Sequence, residues 1–129
     1  MDDLHIAPER DKPEVDFKFS QHRLALRGES FPENAVSFYA PVVAALMSYL
    51  AVTRDHDICV DFELRYFNSS STKIILNIFR ILDQASSHDN RVHVNWRYDA
   101  EDDTVAEFGN EIASDFLTLD FQAVPLESV

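Results

Sequence analysis

Ile58-Cys59-Val60-Asp61-Phe62-Glu63-Leu64-Arg65-Tyr66-Phe67 decides how this chain folds. Ile58, Val60, Phe62, Leu64 and Tyr66 alternate with Cys59, Asp61, Glu63, Arg65 and Phe67, a period of two that reads as a strand with one buried face. Val92, Val94, Trp96 and Tyr98 repeat the pattern against His93, Asn95 and Arg97. A parallel sheet covered by helices on both sides shows continuous apolar strands, and these strands alternate instead. All helices are therefore expected on one face, with Asp61, Glu63, Arg65, His93, Asn95 and Arg97 on a wet opposite face. A doubly wound sheet is excluded. The fold class predicted is α/β, a two-layer sandwich of a mixed sheet with helices on one side.

The flanking sequence supplies the other elements. A short initial segment precedes the loop Pro8 to Pro13. Val15, Phe17 and Phe19 alternate with Asp16 and Lys18, and Leu24 and Leu26 with Ala25 and Arg27, which predicts a hairpin turning at Gln21-His22. Ser30-Phe31-Pro32-Glu33-Asn34 reads as a helix entrance. The helix follows over Val36 to Leu50, where Pro41 predicts a kink or a short first turn. Ile74, Ile75, Ile78, Phe79, Ile81 and Leu82 recur at helical spacing after Lys73, up to a polar break at Ser86 to Asn90. Thr104 to Ala113 predicts a short helix with Val105, Phe108 and Ile112 inward. Leu117, Leu119 and Phe121 predict a last strand, with 124–129 a frayed tail. The order is β-β-β-α-β-α-β-α-β, the first strand weak, in one domain spanning 1–129. Strand-helix-strand succession requires a largely parallel centre with right-handed crossovers.

Composition narrows the function. The 129 residues carry a formal net charge of −12, which argues against nucleic acid, whose phosphates need Lys and Arg, and against anionic membrane surfaces. Proteins with basic or apolar patches are the expected partners. The N-terminus lacks an apolar run, and no stretch approaches the ~18 apolar residues of a membrane span. A cytoplasmic location is expected. The single cysteine, Cys59, reads as a small sheet residue. With only two glycines, Gly28 and Gly109, the chain has no Gly-rich phosphate loop. His93 reads as a cross-strand or solvated residue. Asp99, Glu101, Asp102 and Asp103 read as carboxylates at a helix N-terminus, lacking the spacing of a calcium loop. No metal, cofactor or catalytic residue is expected.

The strongest chemical signal is the junction Asn68-Ser69-Ser70-Ser71-Thr72-Lys73 between strand and helix. One residue suffices for a cap, so spare hydroxyls remain at an exposed turn. A phosphate placed there would meet unpaired backbone N–H groups and the positive end of the helix dipole. The alternative is a small enzyme or ligand-binding domain using a pocket near Asn68 and Lys73.

Three stretches carry a resemblance. Glu29-Ser30-Phe31-Pro32-Glu33-Asn34-Ala35, then Tyr66-Phe67-Asn68-Ser69-Ser70-Ser71-Thr72-Lys73, then Val94-Asn95-Trp96-Arg97-Tyr98-Asp99 with Asp102-Asp103 and Glu107-Phe108-Gly109, resemble in order the motifs of the SiaC family of bacterial regulatory phosphoproteins. The likeness runs from about residue 4 to 121. It implies the STAS fold of SpoIIAA-like anti-sigma-factor antagonists and a partner-switching role without catalysis. It further implies a cognate Ser/Thr kinase, a metal-dependent Ser/Thr phosphatase, and an effector bound by the unphosphorylated form. In the best-known branch the effector is a diguanylate cyclase, whose activation raises cyclic-di-GMP and promotes aggregation or biofilm. By position the acceptor is Ser69, where the family commonly has threonine, with Ser70 second. Asn68, Ser70, Ser71 and Lys73 are expected at the partner surface.

Overall fold

The computed structural model describes residues 2–126. Its elements are β1 (Leu4–Ile6), β2 (Glu14–Lys18), β3 (Arg23–Ser30), α1 (Ala35–Ala51), β4 (Asp57–Phe67), α2 (Ser69–His88), β5 (Arg91–Asp99), α3 (Asp103–Asp115) and β6 (Asp120–Leu126). A 3-10 turn, Phe19–Gln21, joins β2 to β3, with His22 left-handed behind it. The order is the one the periodicities predict. The six strands lie in one sheet in sequence order. β1, β2 and β3 pair antiparallel, and β3 through β6 pair parallel. Three successive crossovers that each step to the next strand in the same direction put their helices on the same face. A two-layer sandwich results.

The inward phase of every strand meets that layer. Leu24, Leu26, Ile58, Val60, Phe62, Val92, Val94 and Trp96 are buried against Tyr39, Val42 and Leu46 of α1 and Ile75, Ile78, Phe79 and Leu82 of α2. Phe62 and Phe79 stack at 4.6 Å between centroids. The outward phase forms a polar lattice: Asn95 Nδ2 and Arg97 donate to Asp61 at 3.0 and 3.3 Å, and Arg27 to Glu14 at 3.1 Å. Cys59 lies in this layer, half-buried. No helix of the described residues is long and apolar enough to cross a membrane.

The structure adds detail or correction at five points. β4 alternates as predicted only to Leu64. Leu64 is opposite Gly28 and Tyr66 opposite Glu29, so Arg65 is an extra residue on β4. This bulge inverts the phase: Phe67 turns inward onto Trp96 and Phe108, and Tyr66 turns out, 51 % exposed. α1 runs unbroken through Pro41, with no separate first turn. α2 passes Ser86 and Ser87 to His88, because solvent-side polar residues without Gly or Pro do not stop a helix. The last strand starts at Asp120, leaving Leu117 82 % exposed in the preceding turn. Val124, Pro125 and Leu126, expected in the frayed tail, pair with Arg97, Tyr98 and Asp99. Proline is tolerated there because β6 is an edge strand. Residues 127–129 of that tail lie outside the described residues.

Two predictions follow from this packing. His93 faces Asp120 at 2.7 Å through Nδ1 and Asp57 at 2.9 Å through Nε2. Both carboxylates are satisfied only when both ring nitrogens donate, so this site favours the imidazolium form. The bonds to Asp57 and Asp120 hold its pKa above the usual value. Arg91 and then His93 hold the Asp57 carboxyl far below its usual range. A raised folded pKa stabilises fully below the unfolded value, about 6.5, and that stabilisation fades as pH rises through the folded value. In urea titrations the gap between wild type and His93→Gln is therefore widest near pH 5.5 and shrinks above neutrality. Second, a Cβ on Gly109 would sit 2.6 Å from Cδ1 of Trp96. The indole is pinned by its Nε1 bond to the Val105 carbonyl, 3.0 Å, and by the rings around it. Gly109→Ala is expected to destabilise by about 1–2 kcal/mol in urea denaturation, the overpacking outweighing alanine's better helix propensity.

Candidate functional site

β3, β4 and β5 end at one pole of the molecule, and α1, α2 and α3 begin there. Each helix opens on an Asx cap: Asn34 accepts from Ser37 N–H, Asn68 from Ser71 N–H and Asp102 from Val105 N–H, at 2.9–3.1 Å. The middle helix start carries the hydroxyl cluster. The β4 bulge aims it, since Phe67 is drawn into the core and Asn68 leaves the strand extended, at φ −84° and ψ 176°. The Asn68 N–H donates to the Ser30 carbonyl at 3.0 Å, and Thr72 N–H returns to the Asn68 carbonyl at 2.9 Å.

The four hydroxyls separate into three environments. Ser69 and Ser70 are exposed on the first turn of α2. Their N–H groups are the first two of the helix and have no intrahelical acceptor. Ser71 is fully buried and accepts from Ser30 Oγ at 2.8 Å. Thr72 Oγ1 donates to the Asn68 carbonyl at 3.0 Å. Lys73 is exposed, four residues after Ser69 and three after Ser70, spacings that share a helix face. It forms no ion pair among the described residues. A dianion on Ser69 or Ser70 would gain the helix dipole, two unpaired N–H groups and an ammonium within reach.

The arrangement brings together Asn68, Ser69, Ser70 and Lys73. It removes Ser71 from the expected partner surface, because the helical period turns that hydroxyl into the core. Sequence reading missed Ser30 and Tyr39, which hold the turn from beneath. Ser30 Oγ lies 2.6 Å from the Tyr39 hydroxyl. The available signal was the even phase Leu24, Leu26, Gly28, Ser30, which points Ser30 inward. Asp99, Glu101, Asp102 and Asp103 lie at the same pole, where Asp102 caps α3 and Asp99 accepts from Glu101 N–H at 2.9 Å. No cluster that could hold a metal occurs among the described residues. A groove of about 280 Å³ lined by Met47, Leu50, Ile81, Ala85 and His88 lies between the C-terminal ends of α1 and α2, at the pole opposite Asn68.

The model of the SiaC family, described as SiaC family regulatory phosphoprotein, matches residues 6–126. An uncharacterized protein of Pseudomonas aeruginosa strain UCBPP-PA14 is 30 % identical over 115 residues, covering 89 % of this chain and 90 % of that protein. The crystal structure of apo-SiaC from Pseudomonas aeruginosa superposes with a TM-score of 0.87 at 29 % identity, over 96 % of this chain and 99 % of that one. A chain of the crystal structure of the diguanylate cyclase SiaD in complex with its activator SiaC, from the same organism, superposes with a TM-score of 0.89 at 28 % identity, over 96 % and 100 %.

Asn68 accepts the Ser71 N–H and is only half-buried, so its removal tests the cap with little packing change. Asn68→Ala is expected to lower stability by about 1 kcal/mol in urea denaturation. Asn68→Asp should keep most of it, since a carboxylate caps equally well.

Proposed function

The chain belongs to the SiaC family of regulatory phosphoproteins, and from that footing we propose that it is a partner-switching regulator whose unphosphorylated form binds and activates a diguanylate cyclase. A cognate kinase phosphorylates Ser69, with Ser70 the second choice, and a metal-dependent Ser/Thr phosphatase reverses the reaction. Residues 1–129 act as one regulatory domain. Asn68, Ser70 and Lys73 lie in the contact surface. The observation that carries this reading is the pair of exposed hydroxyls on the first turn of α2. The relative SiaC, described as the activator of the cyclase SiaD, supports the choice of effector.

The switch needs no refolding. Free in solution, a phosphate on Ser69 is hydrated and stabilised by the N–H groups and by Lys73. Under a docked partner it loses that water, and an uncompensated charge in a contact surface costs several kcal/mol. A difference of ~3 kcal/mol between the two forms already changes affinity by more than a hundredfold.

Incubation with kinase and ATP should add one phosphate to the peptide containing residues 68–73, located by mass spectrometry. Ser69→Ala should abolish that modification and retain binding. Titration against the cyclase should show the phosphorylated form at least tenfold weaker. Equal affinities would refute the regulatory claim, whereas modification confined to Ser70 would keep the mechanism and move the site.

A further inference from the structure

Beneath the acceptor turn lie three hydroxyls that the switch does not touch. Tyr39 on α1, Ser30 at the end of β3 and Ser71 on α2 are all essentially inaccessible. The Ser30 hydroxyl donates to Ser71 Oγ at 2.8 Å. Its one proton is thereby used, so the bond to Tyr39 at 2.6 Å has the phenol as donor. Burial pushes that phenol up to about 12, so it remains a neutral donor throughout the physiological range. The direction of the chain is Tyr39 to Ser30 to Ser71.

Ser30 holds the turn a second time, because its carbonyl accepts the Asn68 N–H. Asn68 in turn receives the Ser71 N–H. Ser30, Ser71 and Asn68 form a closed loop of directional bonds immediately under Ser69 and Ser70, and Tyr39 braces it through Ser30. Apolar side chains at positions 30 and 71 would satisfy the core but leave the first turn of α2 able to slide on it. Hydrogen bonds fix distance and angle together.

We propose that Tyr39, Ser30 and Ser71 are positioning residues for phosphoryl transfer, holding the first turn of α2 so that its exposed hydroxyls are presented to the kinase in one geometry. This rests on the reading of the turn as the phosphorylation site. In that step the serine oxygen bonds the γ-phosphorus of ATP, the bond to the β-phosphate bridging oxygen breaks, ADP leaves, and the serine proton passes to the kinase's base. In-line attack depends on where the oxygen stands, and small displacements of an acceptor lower the rate steeply.

The test compares Tyr39→Phe and Ser71→Ala, which remove one hydroxyl each, with Thr53→Val. Thr53 is also buried, and its hydroxyl donates to the Tyr49 carbonyl at the opposite pole. Kinase and ATP are supplied to each full-length protein. Tyr39→Phe and Ser71→Ala should lower kcat on the order of tenfold with little change in KM, while Thr53→Val transfers at the wild-type rate. Amide exchange at Ser71 and Thr72, whose N–H groups are bonded to Asn68, should quicken about fivefold in the first two variants, with residues 75–82 unchanged. Wild-type rates in Tyr39→Phe and Ser71→Ala would overturn the positioning role alone. So would slowing of all three variants in proportion to lost stability. Absence of phosphate on the wild-type turn would remove the underlying reading, and this role with it.

Discussion

The working pole of this molecule depends on one backbone irregularity, the extra residue that β4 inserts at Arg65 opposite Gly28 and Glu29. Without it, the strict alternation of β4 would carry Tyr66 inward and Phe67 outward. With it, Phe67 joins Trp96 and Phe108 in the core, and Asn68 arrives where its N–H meets the Ser30 carbonyl and its side chain caps α2. The bulge is accommodated where β3 contributes Gly28, whose φ of 116° no L side chain adopts readily. Beside it Tyr66 stands out against Phe31, ring centroids 5.8 Å apart.

Charge is distributed unevenly, and the distribution fits a binding module. On the open face of the sheet, acids and bases are matched into a lattice in which Asp57, Arg91, His93 and Asp120 join three strands. Such exposed pairs contribute modestly to stability but fix the cross-strand neighbours. The helical side is different. No Lys or Arg follows Arg97, while Asp99, Glu101, Asp102, Asp103, Glu107, Glu111 and Asp115 do. The net charge of −12 therefore weighs on the α3 flank and the pole beside it, which favours the approach of a basic partner. Adding a phosphate to a surface already this acidic makes its potential more negative still, so Lys73 and the helix N-terminus are the local features that make the modified state tolerable.

The three helix starts show the division between a common device and a special one. Asn34, Asn68 and Asp102 perform the same cap with nearly the same geometry. Only α2 follows its cap with hydroxyls at the first and second positions, and only there does a buried hydroxyl chain reach back to a neighbouring helix. Capping accounts for one residue of the cluster, core anchoring for another and backbone bonding of Thr72 for a third. Ser69 and Ser70 remain without a structural task.

Periodicity alone determined the layer count, the element order and the one-sided packing, because a period of two with a single apolar phase has a single way to bury itself. The junction at Asn68, the cap and the exposure of Ser69 and Ser70 were equally legible, being consequences of local helix geometry. The bulge was not, since an extra residue on one strand is defined only against its partner strand. The burial of Ser71 and its tie to Ser30 and Tyr39 joins residues 41 and 9 positions apart, and nothing local signals that meeting. Likewise the strand pairing of Pro125 and Leu126 depends on β5 offering its edge. Tertiary structure decided these because hydrogen bonds between distant segments are set by how the layers dock, which the one-dimensional pattern constrains to a face but not to an atom.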